Sequence, residues 1–552
     1  MKRESAFPSF KWVLLLPALV LAVVIAAFAL AACGEDEEGA APEASRPVSL
    51  NLGGEPRTLD PALATDEISI NVIQNLFVAL TRVEEETSRI VPYLAKSWDI
   101  SEDGTVYTFH LRDDVTWTDG TPVTAHDVEY GIKRTLNPET ASEYAYVLYL
   151  IDGAAPYNMG ESNDVNAVGV TALDDLTLEV KLSEPAAYFP AIAALWVMMP
   201  QPQGAIDQYG DAWTEPDNIV TSGAYLLNSW KHGTSLSLKK NPDYFNAADV
   251  QIGQVDFVMI DEESTAMALY EAGDLDALFG TTVPLADLNR VKADPTLGKE
   301  LTIYPELSTY FYDFNLEKPP FDNVLVRKAF AAAIDREALV SEITKGGELP
   351  TTVFTAPGNF GAVGPGNGVG IEFDPAQAAA WLAEAGYPNG DGLPEITLWF
   401  DTSERHEKIA QAVQAMWKRY LGVDVKLANQ EFSTYIDTVL TDAPQVFRMT
   451  WGSDYPDANS WLNDVFNSQS GNNLGHFANE QFDELVTAAA TDPDPEERLR
   501  MYSEAEKILV EDDAALIPIL HEPDPQLTKP YLVRTKAPFG GQQLFNWRLQ
   551  EA

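Results

Sequence analysis

From Asp374 onward, helix-like and strand-like segments alternate along the chain, and that order restricts the fold more than any other feature. Asp374 and Pro375 supply an N-cap and a first-turn proline for QAAAWLAEA, and Gly386 is placed to close that helix. Strand EITLWF follows, then helix EKIAQAVQAMWKRYL, strand VDVKLANQE, strand QVFRMTW, helix PEERLRMYSEAEKILVEDD and the apolar run AALIPIL. In the first half, VSLNLG from Val48 and TVYTFHLR from Thr105 alternate like strands, and a helix opens at Thr124 with Asp127 in its first turn. VTALDDLTLEVKL turns around Asp174 and Asp175 as a hairpin. Helices interleaved with strands of both kinds predict an α/β fold with mixed sheets.

The longest apolar run, Trp12 to Ala32, follows Lys2, Arg3 and Lys11 and ends in Leu30-Ala31-Ala32-Cys33-Gly34. This resembles a bacterial lipoprotein signal, in which Cys33 is lipidated and becomes the mature N-terminus. A transmembrane anchor is the competing reading, because about 20 apolar residues span a bilayer. The acidic, aperiodic stretch after Cys33 reads as a tether, and folded structure is expected to begin at Val48. A chain of 552 residues has enough apolar material for two or three lobes. With 84 acidic against 36 basic residues and a formal charge of −48, it repels polyanions, which excludes nucleic acid as a partner. The single cysteine rules out an internal disulfide, a multi-thiolate zinc site and an iron–sulfur cluster.

Catalytic signatures are absent from the sequence: there is no G-x-S-x-G, no H-E-x-x-H, and no Gly-rich phosphate loop. The six histidines are scattered without ligand spacing, so no metal site and no cofactor are expected. Acidic pairs such as Asp454 and Asp457 suit glycoside hydrolysis or calcium in principle, but so acidic a chain makes chance pairs common. Aromatic residues beside polar ones, at Tyr144 and Tyr146, Tyr310 to Tyr312 and Trp451 to Tyr455, fit either ordinary packing or the walls of a ligand cleft.

Ordered blocks across nearly the whole chain carry a more specific signal. PYLAKSWDISEDGTVYTFHLRDDVTWTDGTPVTAHDVEYGIKRTL, NIVTSGAYLLNSW and NLEKPPFDNVLVRKAFAAAIDREALV resemble extracellular solute-binding proteins of the peptide/nickel ABC-transporter family. LSTYFYDFNLEKPPF, VKLANQEFSTYIDT and FRMTWGSDYPDANSWLN are most similar to its oligopeptide-binding branch. The resemblance implies a two-lobed periplasmic-binding-protein-like (class II, cluster C) fold with an inserted subdomain. Its expected boundaries are a signal peptide at 1–32, a tether at 33–47, lobe I at 48–77, 201–305 and 522–552, the inserted subdomain at 78–200, and lobe II at 306–521.

The resemblance also implies function: a non-enzymatic, monomeric receptor that captures peptides and hands them to a membrane permease coupled to ATPase subunits. Backbone pairing gives such a receptor affinity without sequence choice. Asp454 matches the aspartate that pairs the peptide α-amine, an attraction of roughly 4 kcal/mol at about 4 Å and an effective dielectric near 20, before desolvation. Arg448 and His406 match carboxylate-reading residues for peptides of different length. Tyr144, Trp451 and Phe432 fall where the family places aromatic walls or backbone contacts. Phe432 departs from the family's tryptophan, and Thr65 from a glutamate; Asp66 and Glu67 adjoin Thr65. Asp457 reads as a solvated loop residue. The competing functions are the same family with another solute (dipeptide, nickel chelate or oligosaccharide) and, remotely, a hydrolase using Asp454, Asp457 or Glu431.

Overall fold

Val48–Asn51 is the short, buried strand on which the first lobe is organised. It pairs in parallel with Gln254–Val258 on one side and Ala277–Leu278 on the other. Ser235–Lys240 and Tyr225–Lys231 extend this five-stranded sheet in antiparallel fashion. The computed structural model describes residues 46–85, 87–364, 366–536 and 541–550, together with the backbone but not the side chains of residues 305, 432 and 433. Cys33, the apolar run before it and most of the tether lie outside the described residues, as does the side chain of Phe432.

A second, four-stranded antiparallel sheet has the order Ala95–Ile100, Val106–Leu111, Thr177–Lys181, Val170–Asp174. Its inward residues Tyr107, Phe109, Leu178 and Val180 belong to the same apolar core as Val48 and Leu50. One core therefore runs under both sheets. The helix Ala125–Leu136 packs here, opened by a capping box between Thr124 and Asp127 as its sequence predicts.

The third sheet is six-stranded and mixed, in the order Leu349–Pro350, Leu516–Leu527, Leu301–Phe314, Val446–Gly452, Ile396–Asp401, Val425–Gln430. The sequence reading of the C-terminal half holds strand by strand, and Asp374 caps its helix through the N–H groups of Ala376 and Gln377. Tyr310, Phe311 and Tyr312 lie in the middle of a central strand and are buried, so of the two readings the sequence left open for them, ordinary packing holds. One local reading differs. The helix that opens at Pro495 ends at Lys507, and a π turn, Ile508–Asp512, completes it; the wider turn lets Ile508, Leu509 and Val510 all bury.

Two strands join the lobes. Leu301–Phe314 and Leu516–Leu527 pair along Thr309–Asp313, lose register between Pro305 and Thr309, then pair again along Leu301–Pro305. Beyond the break they reach the first sheet: the Val283 N–H donates to the Pro525 carbonyl, and Ala277 bridges Thr528. The architecture is the two-lobed α/β fold with mixed sheets that the resemblance implies. No helix among the described residues is long and apolar enough to cross a membrane.

Candidate functional site

Strand Val446–Gly452 sits inside the six-stranded sheet, with Arg448 opposite Tyr312 and Trp451 opposite Thr309. Alternation along a strand sends Arg448 and Thr450 to one face and Met449 and Trp451 to the other. The Arg448 guanidinium lies 4.7 Å from the Tyr310 ring centre and donates to Asp401 Oδ1 at 3.1 Å and to the Thr450 hydroxyl. Asp401 ends strand Ile396–Asp401, and its other oxygen is 3.4 Å from His406 Nε2, at the start of helix Glu404–Leu421. Arg448 and His406 thus share one carboxylate. Burial, then the charges of Arg448 and Arg405, pulls the His406 pKa down to about 4 against the opposing pull of Asp401, so its imidazole is neutral at pH 7. Among the described residues, Arg448 Nε and His406 Nδ1 are buried without a hydrogen-bond partner.

Past the strand, the chain turns through Ser453 to Ser460 in a loop fixed by its own side chains. The Ser453 hydroxyl donates to Asn359 Oδ1 at 2.6 Å, the Trp461 indole donates to Ser453 at 2.7 Å, and the Asp454 N–H donates to the Ser460 hydroxyl at 3.1 Å. Trp451 is tied to the same segment through its indole N–H and the Ser460 carbonyl, 2.9 Å away. Asp457, read from sequence as solvated, is only 2% exposed. It accepts from the Asn459 N–H at 2.9 Å and from Arg498 Nη2 at 2.7 Å, so it is a structural ion pair.

The Asp454 carboxylate differs from these neighbours. It is half-buried, burial raises its pKa, and no cation among the described residues pairs with it. Tyr144 and Tyr146 face it from the lobe that carries the four-stranded sheet. Burial first, and the charge of Asp454 second, raise both phenol pKa values. The two rings are 5.6 Å apart, and Tyr144 lies 5.0 Å from Trp196.

A cavity of about 420 Å³ opens beside this group, bounded by Thr65, Glu67 and Tyr144 on one side and by Ser308, Gly452 and Ser453 on the other. Its floor is the connection between the lobes, with Glu306, Gln526, and Asp524 in an ion pair with Lys536. Gly280 also lines it; a side chain there would sit 1.9 Å from the Leu52 carbonyl oxygen, so the approach of these two segments requires glycine. Thr65 accepts from Arg57 at 3.2 Å, and Asp66 is spent on capping Ser69, which leaves Glu67 as the carboxylate of that trio facing the cavity.

Of the residues singled out by sequence, Thr65 and Tyr144 therefore meet the Gly452–Asp454 turn at one cleft. Arg448 and His406 form a second polar cluster on the Asp401 carboxylate, and Trp451 links the strand to the loop. Sequence reasoning missed Asp401, Glu306, Asp524 and Lys536. Asp401 was within reach, as the strand-end carboxylate five residues before His406; nothing local marks the other three.

A two-lobed fold with a cleft at the crossing strands is the architecture of the solute-binding proteins that this chain matches. The chain belongs to the bacterial extracellular solute-binding proteins, family 5, whose model matches residues 89–473. It is 35% identical to the periplasmic oligopeptide-binding protein OppA of Escherichia coli K12 over 486 residues, covering 87% of this chain and 88% of that one. It is also 34% identical, over 87% of this chain and 89% of the other, to the probable deoxycholate-binding periplasmic protein YgiS of the same organism. Among solved structures, the unliganded open form of the murein tripeptide-binding protein MppA superposes with a TM-score of 0.85 at 33% identity, covering 92% and 98% of the two chains. Haemophilus influenzae OppA in complex with RPPGFSPFR gives 0.61 at 32% identity, covering 91% and 98%. At nearly equal identity, the chain superposes better on the unliganded open form.

Proposed function

We propose that this chain is a receptor of an ABC importer that captures oligopeptides, reads their α-amine with Asp454 and delivers them to a membrane permease without chemical change. The observation that carries this reading is the Asp454 carboxylate: half-buried, without a cation of its own and faced by two tyrosines across the cleft. A buried carboxylate left unpaired costs stability, and a ligand ammonium group offsets that cost. Gly452, at the cavity edge of an open strand end, and the neighbouring backbone suit pairing with an extended peptide. The Arg448–His406–Asp401 cluster would receive the carboxylate end of short ligands.

The lobe boundaries given above are kept in this reading, with the register break between Pro305 and Thr309 as hinge. Cys33 would carry the lipid that holds the receptor at the outer face of the cytoplasmic membrane. The 34% identity to YgiS keeps a steroid-like solute as the second reading, and such a ligand has no amine.

Capping separates the two. Mixed tri- to pentapeptides with free amines should raise the melting temperature, by about 2.7 kcal/mol of stabilisation at 100 times the dissociation constant. Their N-acetylated forms should not. Equal stabilisation by both sets, or stabilisation by deoxycholate alone, rejects peptide-amine recognition.

A further inference from the structure

The four-stranded layer meets the Asp454 loop at a point away from the two connecting strands. Tyr188 stacks on Tyr455 with ring centres 5.1 Å apart and planes 11° apart. One residue earlier, the Ala187 N–H donates to the Ala490 carbonyl at 2.6 Å. Ala187 and Tyr188 follow strand Thr177–Lys181, whereas Tyr455 follows Asp454 and Ala490 lies in helix Glu480–Thr491. The contact therefore crosses from one lobe to the other.

Tyr455 is held firmly on its own side. Its hydroxyl donates to Asp464 at 2.5 Å and accepts from Asn459 Nδ2 at 2.7 Å, while Arg498 holds Asp457 two residues further on. Tyr188 stacks on a ring whose hydroxyl end is already fixed. The same layer presents Tyr144 and Tyr146 to Asp454. A pair of adjacent strands is a narrow ribbon that resists stretching and permits twist. A third contact, away from that ribbon, selects one closing motion from the many the ribbon allows. The contact is present in a chain that superposes better on the unliganded open relative than on the peptide complex.

We propose that Tyr188 is a positioning residue: by stacking on Tyr455 it gives the two lobes a noncovalent pivot that holds Asp454 opposite Tyr144 and Tyr146. The proposal rests on the reading of Asp454 as the partner of the ligand's amine.

The test uses the folded exported domain, a free-amine tetra-alanine and its N-acetylated form in titration calorimetry, and carbon-13 NMR titration of the Asp454 carboxyl. Tyr188→Ala should weaken tetra-alanine about three- to tenfold, the range equivalent to one aromatic pair. Tyr188→Phe, which keeps the ring, should bind within about twofold of the parent. Tyr188→Leu, which keeps apolar cover but no flat face, should fall between them and serves if the alanine variant does not fold. In the alanine or leucine variant, the Asp454 titration should move down toward the ordinary aspartate range, because burial is what raises it and loss of the pivot would admit water beside the carboxylate. Unchanged affinity with an unchanged Asp454 titration overturns the pivot, and so does a Phe variant as weak as the Ala variant. Equal binding of acetylated tetra-alanine by the parent protein overturns the amine reading beneath it, before any variant is measured.

Discussion

Asp454 and Asp457 stand three residues apart in opposite electrostatic settings. Asp457 is satisfied: Arg498 and the Asn459 N–H take both of its oxygens in a buried setting. Asp454 is partly buried, and no cation among the described residues pairs with it. Substituting each with Asn should therefore divide stability from binding. Asp457→Asn leaves Arg498 buried with a neutral partner and should cost about 3 kcal/mol of stability, the scale for breaking a buried pair from one side. Asp454→Asn should cost about 2–5 kcal/mol in peptide affinity while leaving the ligand-free melting temperature unchanged or higher. Denaturant unfolding and calorimetry on both variants check this; a larger binding loss for Asp457→Asn than for Asp454→Asn contradicts the division. Sequence alone misassigned Asp457 because its partner is 41 residues away, and an acidic loop side chain carries no local mark of burial.

At the scale of elements, local chemistry was legible wherever it was self-contained. Asp374 with Pro375, Thr124 with Asp127, and Gly386 at φ +98° each mark a helix end by a requirement that neighbouring residues state in full. Around Tyr310 the sequence leaves packing and cleft lining both open, because strand Leu301–Phe314 is buried on both faces there and its aromatic residues run without alternation. The connecting strands also hide a titrating group. His521 is fully buried beside Thr309, whose hydroxyl donates to the Phe354 carbonyl and so accepts from His521 Nδ1 at 2.8 Å. The ring is thus a neutral Nδ1–H tautomer, and burial lowers its pKa to about 3. An unfolded histidine takes up a proton near pH 6.5, whereas the folded one refuses it until about pH 3, so stability falls as pH falls through that window. Melting curves of the parent and His521→Gln should diverge below about pH 6.5, with the parent losing stability relative to the variant. Parallel curves from pH 7 to 4 would show that the ring titrates normally.

At the scale of the whole molecule, the proposed anchor and the fold make separate demands. If Cys33 carries a lipid, Cys33→Ala should abolish incorporation of labelled fatty acid in cells, while the purified domain binds peptide as before. Label retained at the parent level contradicts the anchor. The core that joins the first and second sheets includes Val48 and Leu50 from the start of the described residues and Leu532, Leu544 and Trp547 from near their end. Asn75 ties the two ends directly, donating to the Gln542 carbonyl at 2.8 Å and accepting from the Leu544 N–H at 3.0 Å. The six-stranded sheet, by contrast, has its last strand once Leu527 has emerged. Lys536, Gly541 and Gln542 of the segment that follows also line the cavity, so its wall is complete only with them in place. The second lobe's sheet needs nothing beyond Leu527, whereas removing the segment from Lys536 onward would take away part of the cleft itself.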